Sequence, residues 1–149
     1  MSTKHEEMVD QLEEILEKNR DAEKGYRKAA ENADSANLKN YFEKKSRERK
    51  TFNESLKREL VANYDDIDDD GTFSGTVHRT WMDIKAFFSG DNDESMLEEA
   101  IRGDKSAVEE YEEVLEDATL PASIATLLRN QQMKIRTDLN KIKSLEDLK

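Results

Sequence analysis

The chain has 149 residues, 40% charged and 35% hydrophobic, with five Gly, one Pro and no Cys. That length suits a single domain over 1–149 with room for a real core, and the scarcity of Gly and Pro excludes collagen and argues against a turn-rich β scaffold. The missing Cys removes disulfides, thiolate metal sites and a Cys nucleophile and fits a cytoplasmic setting, while a net charge of −11 speaks against a nucleic-acid binder. No segment approaches the roughly 20 apolar residues of a membrane span, and MSTKHEEMVD is too polar for a signal peptide.

The first element opens on Thr3 and Glu6 at capping-box spacing. Met8, Leu12, Ile15, Leu16, Ala22, Tyr26, Ala29, Ala30 and Ala33 then follow a helical period. Asp34 and Ser35 break the pattern and offer a cap for a second helix carrying Leu38, Tyr41, Phe42, Phe52, Leu56, Leu60 and Tyr64. So short a break folds the two helices back as an antiparallel pair.

Residues 61–75 form the one long polar break. Beyond it Phe73, Val77, Trp81, Ile84 and Phe88 predict a short amphipathic helix ending at Gly90. Asp91 and Glu94 offer the next capping box, ahead of a third long helix with Leu97, Ala100, Ile101, Ala107, Val108, Tyr111, Val114 and Leu115. Pro121 suits the first turn of a fourth helix, whose face reads Ile124, Leu127, Leu128, Ile135, Leu139, Ile142 and Leu145. The expected fold is all-α: an up-down four-helix bundle with one long crossover carrying a short helix.

Charge divides along the same boundaries. Residues 1–34, 35–60, 61–90, 91–117 and 118–149 carry −4, +4, −4, −10 and +3, so each hairpin joins an acidic helix to a basic one. The run Lys44, Lys45, Arg47, Arg49 and Lys50 therefore reads as a solvated face beside acidic neighbours rather than a nucleic-acid patch.

The string GTFSGTVHRTWMDIKAFFSGD at 71–91, with EKGYRKAAE at 23–31, ERKTFNESLKREL at 48–60 and LEEAIRGDKSAVEEYEEVLE at 97–116, resembles a bacterial family of uncharacterised four-helix-bundle proteins with a ferritin-like fold. His78, Arg79 and Trp81 are its most specific signature. The resemblance implies a ferritin-like bundle of a family without an established reaction.

A ferritin-like di-iron centre needs a Glu on each of two helices and a Glu-x-x-His on each of the others. His5 and His78 are the only imidazoles, preceded at that spacing by Ser2 and Gly75, so the motif is absent. Glu23, Glu48 and Asp104 nevertheless lie on apolar stripes near mid-bundle. Such acids must be protonated, paired or metal-bound. Pairing with Lys45, Arg49, Arg102 or Gln131 is the commoner solution; a weakly bound divalent metal is the other, and oxygen-only ligands would favour a hard ion.

Asp66, Asp68, Asp70 and Gly71 match the opening of a calcium loop, but position 12 is Val77 instead of the bidentate Glu, which favours a solvated acidic loop. His78 has no adjacent nucleophile or acid and is expected, with Arg79, to bond helix ends or carboxylates while Trp81, Phe87 and Phe88 pin the crossover. Exposed rings at Phe87 and Phe88 would also suit a homodimer. The sequence thus points to a soluble non-enzymatic binding or assembly protein, with an unidentified protein partner and no cofactor; a degenerate metal or iron handler using Glu23, Glu48 and Asp104 is the alternative.

Overall fold

The computed structural model describes residues 4–64 and 92–148; the side chains of residues 4 and 5 are not described. Asp66, Asp68, Asp70, His78, Arg79, Trp81, Phe87 and Phe88, and the short crossover helix expected from sequence, lie outside these residues.

Among the described residues four α-helices form, α1 Lys4–Asn32, α2 Ala36–Asn63, α3 Asp93–Leu115 and α4 Ala122–Lys141, followed by a 3-10 turn at Leu145–Leu148. The chain is an all-α four-helix bundle, with no strand among the described residues. Ser35 caps α2, its side chain accepting from the Leu38 amide. At α3 the cap is Asn92, accepting from Ser95, one residue beyond the expected Asp91 position. The cap needs a short side-chain acceptor within reach of the amide three residues on, and Asn92 Oδ1 supplies it at 2.8 Å. The fourth helix stops at Lys141, so Leu145 packs from the 3-10 turn instead of continuing the stripe.

Cross-helix hydrogen bonds fix the topology. Ser46 and Asn53 of α2 bond the Glu23 and Leu16 carbonyls of α1, so α1 and α2 are antiparallel. Asn19 meets Tyr111 and Tyr26 meets Asp104, so α1 also runs against α3. On the far side, Gln131 reaches the Phe52 carbonyl and Asp138 reaches Lys45, placing α4 antiparallel to α2. Around the bundle the order is α1, α2, α4, α3, and the directions in chain order are up, down, down, up. The end of α2 lies by Met8, where Tyr64 meets its sulfur, while the start of α3 lies by Ser35, whose amide and that of Asp34 donate to the Asp93 carboxylate at 2.9 and 2.8 Å. Those ends are about 40 Å apart at 1.5 Å per helical residue, so the 64–92 connection joins opposite ends of the bundle.

The core comes in two parts. One end packs Leu12, Ile15, Leu16, Phe52, Leu56, Leu60, Val114, Ile124, Leu128 and Ile135. The other packs Ala22, Ala29, Ala30 and Ala33 of α1 against Leu38, Phe42, Met96 and Leu97. Small residues on α1 leave room there for the Tyr26 and Phe42 rings, whose centroids are 5.9 Å apart. Buried polar side chains from all four helices lie around mid-bundle, near the junction of the two cores.

Candidate functional site

Each helix delivers polar groups to that level from its own apolar stripe. Asn19 and Tyr26, Asp104 and Tyr111, and Gln131 and Asp138 are pairs seven residues apart on α1, α3 and α4. Seven residues are close to two full turns, so both members of a pair face inward about 10 Å apart. Lys45 and Arg49, four apart, do the same on α2.

Asp104 is the hub and is only 2% exposed. Its Oδ1 accepts from Arg49 Nη2 at 2.7 Å and from Tyr26 Oη at 2.6 Å. Its Oδ2 takes Lys45 Nζ at 2.7 Å, and the same ammonium donates to Asp138 Oδ2 at 2.9 Å. Arg49 Nη1 donates to Asn19 Oδ1 at 2.7 Å, and Asn19 passes the chain to Tyr111, whose hydroxyl donates to Gln131 Oε1 at 2.7 Å. Gln131 closes it on the Phe52 carbonyl at 3.1 Å. One connected network thus ties the four helices together.

The electrostatics follow from those contacts. Burial opposes ionisation of Asp104, but Lys45 and Arg49, with hydrogen bonds from Lys45 and Tyr26, outweigh it and hold its carboxyl below the ordinary aspartate value. Burial lowers and Asp104 raises the affinity of Arg49 for its proton, and the net direction is up. Burial and the Asp104 charge push the Tyr26 hydroxyl well up, and burial pushes Tyr111 up to about 12. Both tyrosines are therefore neutral donors at physiological pH, matched to an ionised carboxylate and an amide.

The other two acids singled out from sequence sit elsewhere. Glu23 is half-buried and pairs with Arg27 at 3.0 Å, one turn along α1. Glu48, half-buried on α2, has an Oε1 without a hydrogen-bond partner; burial raises its pKa despite the nearby Lys45. Replacing Glu48 with Gln removes a poorly solvated charge, and thermal unfolding should show a midpoint equal to or a few degrees above wild type, about 1 kcal/mol at most. A fall of that size would assign Glu48 to an ion pair that stabilises the fold.

Among the described residues no three His, Asp or Glu side chains converge on a common metal position. The donor chemistry explains this. Both Asp104 oxygens already face fixed cations, so a divalent ion there would have to displace or approach Lys45 and Arg49. The residues at this level do not fit a di-iron centre, and no chemistry through one is derived.

Sequence reasoning placed Asp104, Lys45, Arg49 and Gln131 at this level but read Tyr26 and Tyr111 as apolar stripe residues and passed over Asn19. The seven-residue spacing of polar pairs was the available signal. A buried Glu on the flank of α1 was also missed: Glu13, 5% exposed, is pushed to about 7 by burial, then by Glu17 and Asp10.

A family model for a domain of unknown function, DUF2383, matches residues 7–117, and the chain belongs to that family. The match spans α1 to α3; α4, which supplies Gln131 and Asp138, follows it. No curated protein matches the chain.

Proposed function

We propose that this DUF2383 chain is a non-enzymatic binding or assembly bundle that acts through its outer faces. The observation that carries this reading is the commitment of both Asp104 oxygens to Lys45, Arg49 and Tyr26, which turns the mid-bundle polar residues toward each other. The two antiparallel hairpins, joined end to end by the 64–92 connection, support the ferritin-like reading of the fold, in a form whose inward positions hold side-chain cations. No helix among the described residues is long and apolar enough to cross a membrane.

The competing reading, a weak hard-cation site through Glu23, Glu48 and Asp104, draws on the unpartnered Glu48 oxygen. Calorimetric titration of chelator-treated protein with ferrous iron, manganese and calcium separates the two. A bundle that acts through its surface should give no stoichiometric binding that is lost in both Glu48→Gln and Asp104→Asn. A stoichiometric ion lost in both variants, or ferrous oxidation above the buffer rate that both abolish, would overturn the proposal in favour of the metal site.

A further inference from the structure

In chain order the helices alternate in sign: α1, α2, α3 and α4 carry −3, +4, −7 and +3. A bundle wound α1, α2, α3, α4 around its axis would keep that alternation and make every seam attractive. The observed ring does not, because α1 sits beside α3 and α2 beside α4. Two seams are therefore like-charged, and the molecule is polarised across its width, with −10 on the α1 and α3 half and +7 on the α2 and α4 half. The α2 cations, read from sequence as neighbours of acidic helices only, have an acidic helix on one side and a basic one on the other.

Lys45, Arg49 and Asp104 are buried; much of the remaining charge is exposed. A groove of about 390 Å³ runs along the α1/α3 seam, lined among others by Glu14, Glu109, Glu110 and Glu113, and Lys18 enters it to pair with Glu110 and, at 4.0 Å, Glu14. Burial raises the Glu110 carboxyl even against that ammonium. On the opposite half, Lys44 of α2 and Lys134 and Lys141 of α4 are exposed, while Arg47 and Lys50 line a groove shared with Glu23 and Glu31 of α1. Such faces present opposite signs outward.

We propose that a second copy of this chain is the partner, the acidic α1/α3 face of one molecule docking on the basic α2/α4 face of the next. This rests on the reading that the bundle acts through its outer faces, and it names the partner. Complementary charge argues for it: the surface that fits the basic face is present on every copy. A polyanion is disfavoured because the chain's net −11 repels it at long range. Because the two faces differ, the contact is heterologous, and it leaves each added copy with a free face for the next. Exposed ion pairs are individually weak and screened, so the association is strongest at low ionic strength.

Sedimentation velocity of the full chain tests this, at an ionic strength of about 0.01 M, where the screening length is about 30 Å, and at about 1 M, where it is about 3 Å. The expected result is concentration-dependent association at low salt that vanishes at high salt. Lys44→Glu with Lys141→Glu lowers the basic half from +7 to +3, and Glu109→Lys with Glu113→Lys lowers the acidic half from −10 to −6. All four residues are exposed, and unchanged circular dichroism and thermal midpoints establish that each variant folds. Each double variant alone should associate at least about tenfold more weakly than wild type, and an equimolar mixture of the two should recover association. A wild-type monomer at low salt overturns the proposal, as does association indifferent to salt or to both reversals. Heparin binding that Lys44→Glu with Lys141→Glu abolishes, with no self-association, assigns the basic face to a polyanion instead. These failures leave the surface reading standing, since the metal titration decides that separately.

Discussion

Replacing Asp104 with Ala is expected to destabilise the protein by about 3–5 kcal/mol, because it leaves the buried Lys45 and Arg49 without their shared counter-ion. The size comes from stranding Arg49 and leaving Lys45 with Asp138 alone, not from the net worth of the pairs. A triple variant, Lys45→Met, Arg49→Met and Asp104→Leu, removes every charge of the triad at similar volume and should recover most of that loss. Urea unfolding of the two proteins makes the comparison. If Asp104→Ala costs under about 1 kcal/mol, water reaches the site and the network is not a dry core. The pH dependence has a definite sign. A carboxyl held below its ordinary value stabilises fully above the unfolded aspartate pKa of about 3.9, and that stabilisation fades as pH falls through the folded value. Wild type should therefore lose stability below about pH 4 more steeply than the triple variant.

Phe42→Ala is expected to cost about 3–5 kcal/mol, measured the same way. Phe42 is fully buried among four α1 alanines with Tyr26, Leu38, Met96 and Leu97, and the short alanine side chains cannot reach into the space its ring would vacate. The ring also packs on Tyr26, which holds Asp104, so the loss should exceed the transfer term alone. A cost near 1 kcal/mol would show that this end of the bundle collapses around the cavity.

The helices were legible in the sequence because their apolar positions keep a single period over 20 to 29 residues; the Ser35 cap lies where the period breaks, and Pro121, expected in the first turn of the fourth helix, stands one residue before it. The ring order was less so. Periodicity fixes which face of a helix is inward but not which helix stands beside it, and only the long 64–92 separation hinted that α2 and α3 run the same way. The polar network was half legible for the same reason. Asp104, Lys45 and Arg49 stood out as charges on apolar stripes, whereas Tyr26 and Tyr111 look like core residues until the partner of each hydroxyl is known. Glu23 and Glu48 lie on their stripes by spacing, yet Glu23 leans outward to Arg27. A shift of tens of degrees around the helix separates those outcomes, which is finer than sequence spacing resolves.

The Asp104 contacts also act as a gauge of alignment between the two hairpins. Lys45, Arg49 and Tyr26 come from one hairpin, Asp104 and Asp138 from the other. Apolar stripes of Leu, Ile and Ala tolerate sliding by a turn, since one methyl group substitutes for another. Sliding one hairpin by a turn, about 5.4 Å, would carry Asp104 away from one of its two cations, which stand one turn apart on α2, and leave that cation without its carboxylate among hydrocarbon. Intermediate offsets are worse, because they break the short bonds without bringing replacements. The hairpins therefore meet in one alignment or remain apart, and a bundle whose cores are largely interchangeable aliphatic surface acquires a single longitudinal setting.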